Sequence, residues 1–379
     1  MDAFRGLTIL AMILVNNPGS WSYVYRPLDH AKWNGWTPTD LIFPFFLFIV
    51  GVSITLSFAS RLDRGFSRES LAAHIVTRST VLFALGIFLN GFPDFSLGHI
   101  RIMGVLQRIA LCYLAAGLIC LIGRRPNETD ETDEFHARGI PSLIAAVTVA
   151  LLVGYWALMR FVPVPGYGAG HLDPEGNLSG YIDRSVFGVA HLWSESATWD
   201  PEGLLSTLPA IATTLIGVLA GSWLRSNRST ARRALGLMIG GVAGIAVGRL
   251  LNPFFPINKN LWTSTFAVFS AGFAMLLFGI CYWLIDVRGY RRWTMPLQVY
   301  GRNAIAVFAL SSLLATASIF FALHDATGAQ VTWHDYVYGR FFAHLASPPN
   351  ASLLFAICYC LLWLAIMWPL YRRRIFIRI

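Results

Sequence analysis

The sequence predicts an all-α polytopic membrane protein of about ten transmembrane helices with both termini cytoplasmic. Three observations predict it. The 379 residues are 55% hydrophobic and only 13% charged, whereas soluble domains run near a quarter charged. Apolar runs recur at membrane-spanning length. Arginines concentrate in alternate connections between those runs.

A hydrocarbon core takes about 20 apolar residues per helix. Windows of that length place ten spans at roughly residues 3–17, 40–60, 72–90, 102–123, 140–160, 204–223, 233–252, 261–285, 296–321 and 351–371. Met1-Asp2 leads straight into the first of these. That segment therefore reads as a retained helix and not as a cleavable signal peptide.

Orientation follows from the connections. One side carries Arg61, Arg64 and Arg68, then Arg124 and Arg125, then Arg225, Arg228, Arg232 and Arg233. Arg288, Arg291, Arg292 and the Arg372, Arg373 and Arg374 run continue that side. The other side has scattered charges such as Arg26, Lys32, Arg184 and Lys259. Basic residues favour the cytoplasmic side, which puts both termini there. The same clustering accounts for the net charge of +9 and argues against a nucleic-acid partner.

The outer side is then expected to hold the loops 18–39, 91–101, 161–203, 253–260 and 322–350. The 161–203 loop contains "VPVPGYGAGHLDPEGNLSGYIDR". An ordered loop of that length is often functional, as a lid or a sugar platform, although a passive connector fits equally. The inner stretch "NETDETDEFHAR" is acidic and reads as mobile. The five cysteines, Cys112, Cys120, Cys281, Cys358 and Cys360, lie inside or beside apolar runs without metal-ligand spacing, and read as packing residues.

Ionisable groups inside spans cost about 2.5–3.5 kcal/mol on insertion scales and tend to face cavities. In "MDAFRGL", Asp2 and Arg5 share a helical face and can pair. A snorkelling arginine at a helix start would look the same. Asn16 and Asn17 end that helix, either as a polar site or as a cap before Pro18. His30 precedes "NGWTPTDLIF", in which Thr39 or Asp40 can cap the second helix. An interfacial histidine is often decoration, but imidazole exchanges protons near neutral pH without tuning. Gln107 and Arg108 fall two turns into the fourth span, where Arg108 requires an anion, carbonyls or water. Asn258, Lys259 and Asn260 sit at an outer helix start. Arg302 and Asn303 lie in the ninth span, where Asn303 could bond a neighbouring helix. No short motif for nucleotide, metal or serine-nucleophile chemistry is present. These clusters fit a transporter, a channel or a membrane-embedded transferase.

Taken together, the order "DAFRGLTI…LVNN…HAKWNGWTPTDLIFPFFLFIVGVSI…GVLQRIALCYL…GYIDR…DPEGLLSTLPAI…NKNLWTSTF…GRNAI" resembles the heparan-α-glucosaminide N-acetyltransferase family and its bacterial relatives, from Asp2 to about Asn303. The resemblance implies one transmembrane acyltransferase domain over 1–379. In the lysosomal enzyme, acetyl from cytosolic acetyl-CoA crosses the membrane to the terminal glucosamine amine of heparan sulfate. The active histidine of the family motif falls on His30, the helix-end asparagine on Asn16, and the motif aspartate on Asp40.

Set against that enzyme, the sequence is expected to represent a form without the large N-terminal luminal domain and one further helix. The expected protein is accordingly a multi-pass bacterial inner-membrane enzyme with a glucosamine-type sugar or glycan acceptor on the periplasmic side. A homodimer is admitted as its assembly.

Acyl transfer to an amine needs a base and donors for the oxyanion. His30 is assigned as base or acyl carrier, Asn16 as oxyanion donor or substrate orienter, and Asp40 as partner of the imidazole. Coenzyme phosphates need cations. Arg5 is the candidate at the cytoplasmic mouth, with Arg108, Lys259 and Asn303 as deeper polar contacts, and no metal is expected. The rival readings are a transporter of amino sugars or oligosaccharides, and an O-acyltransferase acting on sugar hydroxyls.

Overall fold

Apolar side chains dominate long stretches here, and a chain in lipid satisfies its backbone within each helix. The computed structural model describes residues 1–62, 64–123, 139–324 and 330–377. Helices account for nearly all of the regular structure in them: α1 (Asp2–Asn16), α2 (Ile42–Leu62), α3 (Arg68–Gly91), α4 (Val105–Ile122), α5 (Gly139–Phe161), α6 (Leu178–Phe187), α7 (Thr207–Leu224), α8 (Thr230–Leu251), α9 (Ser264–Tyr282), α10 (Met295–Arg302), α11 (Ala304–Phe320), α12 (Trp333–Phe341) and α13 (Pro348–Arg372). Two small antiparallel hairpins, β1 (Pro163–Val164) with β2 (Gly168–Ala169) and β3 (Ala322–His324) with β4 (Gln330–Thr332), decorate the loops. The acidic 127–138 stretch and Arg124 and Arg125 lie outside the described residues.

Each expected span corresponds to a helix, with two corrections. Among the described residues, eight helices are long and apolar enough to cross a membrane, or nine when the bent pair α10–α11 is counted as one span. The segment expected as one helix over 296–321 is broken by 70° around Asn303. The α1 helix has only 15 residues, about 22 Å of rise, which is less than a full hydrocarbon core.

The predicted alternation of loops is visible in their contacts. The 29–41 segment meets the 257–263 turn where Gly35 N–H donates to the Ile257 carbonyl at 2.8 Å. It meets the 161–203 loop where Trp33 Nε1 donates to the Leu172 carbonyl at 2.8 Å. Arg101 Nε donates to Asp200 Oδ2 at 2.8 Å, and the Tyr25 hydroxyl donates to Asn350 Oδ1 at 2.6 Å. All five loops expected on the outer side thus gather at one end of the bundle. The opposite end carries Arg61, Arg68 and Arg302. There Arg68 donates to the Leu121 carbonyl at 2.7 Å and Arg302 lies 3.5 Å from Asp2.

Glycines set the two close approaches that matter for the site. A Cβ on Gly51 of α2 would stand 1.9 Å from the Thr214 carbonyl oxygen of α7. One on Gly301 of α10 would stand 1.9 Å from the Asp2 carbonyl oxygen of α1. Small residues let helices touch backbone to backbone where lipid supplies no hydrophobic drive. The two contacts hold α1, α2 and α10 as walls of one interior space.

Candidate active site

The second helix starts from a buried carboxylate. Asp40 is fully buried in a short 3-10 turn, Pro38–Leu41, that leads into α2. Its Oδ2 accepts from Thr37 N–H at 2.8 Å and from Ala31 N–H at 3.1 Å. Its Oδ1 lies 2.7 Å from His30 Nδ1. One oxygen therefore caps the helix while the other holds the imidazole. The capping and histidine-orienting roles, alternatives from sequence, coexist in one side chain. Thr39 is not the cap, because its hydroxyl donates to the Pro27 carbonyl at 3.1 Å.

A carboxylate only accepts, so His30 Nδ1 carries the proton toward Asp40 and Nε2 keeps its lone pair. The His30 side chain is 45% exposed, so the ring is open to the loop-rich end of the protein.

The loop that delivers His30 is braced by its neighbours. Gly35 sits at φ +101°, a conformation that other L-residues adopt with strain. Trp33 packs edge-on against Trp199 at 5.0 Å. The 258–263 turn approaches from the other side. Asn258 Nδ2 donates to Asn34 Oδ1 at 3.1 Å, and its Oδ1 accepts from Leu261 N–H at 2.9 Å. Trp262, fully buried at φ +47°, makes this turn tight. Lys259 Nζ ends 3.5 Å from His30 Nδ1. Burial lowers the Lys259 pKa, while the charges of Glu202 and Asp40 act against that fall. Lys259, expected among coenzyme contacts, stands beside the histidine and does not line the cavity described below.

Below this cluster lies a cavity of about 830 Å³, a size suited to a cofactor-sized ligand. Phe43, Phe46, Val50, Ser53, Ser57 and Arg61 line it from α2, at spacings of three and four that define one helical face. From Phe43 to Arg61 is about 27 Å along a helix, close to the thickness of a hydrocarbon core. Asp40 precedes Phe43 by three residues, so the upper end of the cavity is one helical turn from the residue that holds His30. Val105 and Leu106 of α4 join Phe43 there, whereas Arg5, Arg61, His74, Arg78 and Arg302 line the cavity elsewhere.

Arg5 stands where the sequence expected a cation. Its guanidinium donates to Ser53 Oγ at 3.2 Å and to the Gly301 carbonyl at 3.3 Å, and meets Asp2 at 3.5 Å. Arg61, His74 and Arg78 were not singled out as site residues. Arg78, eleven residues into an apolar helix, carried the sequence signal of a charge inside a span. It lies over the Tyr113 ring at 4.8 Å. His74 Nε2 is 3.0 Å from Arg61.

Two residues expected as coenzyme contacts lie outside the lining of this cavity. Arg108 is fully buried and does not line the cavity. Its guanidinium donates to the Pro201 carbonyl at 2.9 Å, the Gly203 carbonyl at 2.8 Å and Ser206 Oγ, and lies over Trp262 at 5.1 Å. Carbonyls, one of the three partners its position required, take its charge, and it ties α4 to the turn before α7. Asn303, also fully buried, binds backbone beyond α13 and likewise does not line the cavity. Asn16 ends α1 with an exposed side chain. No hydrogen bond joins it to His30 among the described residues.

Fold and site define a multi-span α-helical membrane protein in which a basic interior cavity leads toward an Asp-held histidine. Residues 1–127 match the family model described as heparan-alpha-glucosaminide N-acetyltransferase, catalytic. The heparan-alpha-glucosaminide N-acetyltransferase of Mus musculus is 34% identical over 347 residues, covering 81% of this chain and 52% of that protein. The Homo sapiens protein of the same name is 31% identical, covering 81% and 51%. The chain is similar to these proteins over 81% of its own length. It spans about half the length of the curated relatives it matches.

Proposed function

We propose that the protein transfers an acetyl group from acetyl-CoA, held in the basic cavity, to the amine of a glucosamine-type sugar or glycan at the His30 end. One observation carries the reading. The cavity follows a single face of α2 from Arg61 to within a turn of Asp40. A coenzyme whose phosphates sit among Arg5, Arg61, Arg78 and Arg302 would direct its pantetheine arm up that face. The thioester then has one turn of α2 to travel, past Phe43, to meet the histidine.

The chemistry asks little more of the protein. The acceptor amine attacks the thioester carbonyl while His30 Nε2 removes its proton. The C–N bond forms, the C–S bond breaks, and the imidazolium returns the proton to the leaving thiolate. Asp40 stabilises that imidazolium and fixes the tautomer. The Lys259 ammonium and the Asn16 amide are the donors for the oxyanion. A histidine that carries the acetyl covalently would use the same groups in two steps.

The arginine-rich end of the bundle supports a coenzyme bound from the cytoplasm, because basic residues favour the inner side. The acceptor then belongs outside, and a bacterial inner membrane facing the periplasm fits that arrangement. His30, Asp40, Lys259 and the cavity come from one chain, so the reaction as written does not require a second subunit.

The test is reconstituted protein with acetyl-CoA on the arginine-rich side and a panel of amino sugars on the other, with product mass as the readout. N-acetylated sugar and free CoA on opposite sides are expected, and His30→Ala abolishes both. Sugar uptake without consumption of acetyl-CoA would replace the reading by transport. Products acetylated on oxygen would replace it by O-acyl transfer.

A further inference from the structure

The helix break at Asn303 has a buried amide at its centre, and both ends of that amide reach the same distant strand of backbone. Asn303 Nδ2 donates to the Ile375 carbonyl at 3.2 Å, and Oδ1 accepts from Ile377 N–H at 2.9 Å. This two-point grip leaves Phe376 between the anchors. Its ring lies 5.2 Å from the Arg302 guanidinium, and the Tyr371 ring lies 5.3 Å from the same group. Phe376 and Ile377 line the cavity beside Arg302. Arg302 is further tethered by Asp2 at 3.5 Å.

We propose that Asn303 is a positioning residue for the cavity: by pinning residues 375–377 it makes them a wall of the chamber and fixes Arg302 toward the coenzyme's anionic end. The inference rests on the coenzyme reading for its ligand, but the wall itself is a matter of geometry.

The physical argument has two parts. Residues 373–377 follow the end of α13 and have no helix of their own to hold them. Backbone bonds reach only as far as Ile375 N–H, which donates to the Leu370 carbonyl at 2.9 Å, and the buried amide then satisfies the Ile375 carbonyl and the Ile377 N–H. An arginine between two rings keeps its charge but loses rotamer freedom. Anion recognition then starts from a fixed guanidinium, and less entropy is lost on binding. The sequence offers the arginine and the asparagine side by side because the break between α10 and α11 needs a residue outside helical geometry, and Asn303 adopts φ −118° and ψ 33° there.

The test compares Asn303→Leu, Asn303→Asp and Phe376→Ala in purified full-length protein, each also carrying Ser57→Cys and Cys358→Ser for maleimide labelling of the cavity. Ser57 lines the chamber, and Cys358 is the exposed native thiol. Asn303→Leu releases the wall, so labelling at position 57 is expected to accelerate about fivefold. The KM for acetyl-CoA should rise about tenfold with kcat within twofold. Asn303→Asp keeps the acceptor for Ile377 N–H and should fall between. Phe376→Ala leaves the amide grip intact and should raise KM less, which keeps the question open to measurement if Asn303→Leu does not fold.

Unchanged labelling and unchanged KM in the folded variants would overturn the proposal. So would a fall in kcat at constant KM, which would place Asn303 beside the reacting atoms. Failure of CoA to slow labelling in the protein without the Asn303 and Phe376 changes would sink the coenzyme reading alone, since the effect of Asn303→Leu on free labelling is read without any ligand.

Discussion

At one end of α2 a single buried carboxylate holds a half-exposed imidazole. At the other, Arg61 opens onto a chamber shared with Arg5, Arg78 and Arg302. The first end is organised by fixed hydrogen bonds: Asp40 accepts from Thr37, Ala31 and His30 within 3.1 Å. The second is organised by an excess of one charge, with Asp2 the only carboxylate among the described lining residues. Fixed geometry suits proton transfer, in which angle and tautomer decide the rate. Concentrated charge suits capture of an anion, in which several groups share the load. The comparison teaches that substitutions at the two ends should fail differently, one in kcat and the other in KM.

The largest effect is expected from Asp40→Asn. The amide oxygen can still accept from Thr37 and Ala31, so the helix start survives. The amide NH₂ would then face His30 Nδ1 and push the ring proton to Nε2, where the base is needed. We expect kcat to fall by roughly 10²-fold or more, with the KM for acetyl-CoA near wild type. A loss shared equally by KM would dissolve the distinction between the two ends.

Next in size is Arg302→Gln, alone and with Arg5→Gln. Each removes a charge from the chamber and leaves the histidine untouched. The KM for acetyl-CoA should rise about tenfold for one change and more for both, and added salt should weaken wild-type binding in the same direction. Steady-state kinetics at two ionic strengths reads both. A kcat defect without a KM defect would mean that these arginines do not meet the coenzyme.

Arg108 sharpens the comparison because it is a third kind of membrane arginine. Replacing it with Met leaves the Pro201 carbonyl without its donor, at about 1–3 kcal/mol, while the Gly203 carbonyl keeps the Ser206 and Thr207 hydroxyls. Thermal unfolding of the solubilised protein should drop by several degrees. The KM for acetyl-CoA in the folded fraction should stay within about twofold. A selective KM rise in a stable Arg108→Met protein would return this residue to the coenzyme site.

How much of this was legible in the sequence depends on range. Span positions were legible because hydropathy is a local property, and α2 to α5 and α7 to α9 fall where their apolar runs lie. The break at Asn303 was not, because no proline or glycine pair marks it and its cause is backbone more than seventy residues away. His30 and Asp40 were legible as a pair from the resemblance, and the helix-start spacing gave Asp40 its second role. The chamber's arginines were only partly so. Arg5 stood out by its position at a helix start, whereas Arg61 looked like one loop charge among many. Arg108 and Arg5 are both arginines in apolar helices, and sequence has no local feature that tells a carbonyl-bound guanidinium from one facing a cavity.

The smallest effect tests the loop that covers the histidine end. Asp183, in α6, is fully buried, and its Oδ1 accepts from Leu204 N–H at 2.8 Å. Gly203 presses on it so closely that a Cβ there would stand 1.9 Å from Oδ2. Burial pushes its pKa up to about 7, with Asp200 adding to the rise and Leu204 N–H, Arg108 and Arg184 opposing it. The unfolded value is near 3.9. Between about pH 4 and 7 the native state therefore holds a proton that the unfolded state has lost, and stability from this group falls as pH rises through that window. Asp183→Asn mimics the protonated form and removes the dependence. Melting temperatures of wild type and variant should coincide near pH 4, begin to part by pH 5 and differ by a few degrees near pH 8, with the variant higher. Parallel curves across that range would show that Asp183 titrates normally. The charges beneath the 161–203 loop would then be as solvated as those at the open mouth, and the contrast between the two ends would lose its electrostatic basis.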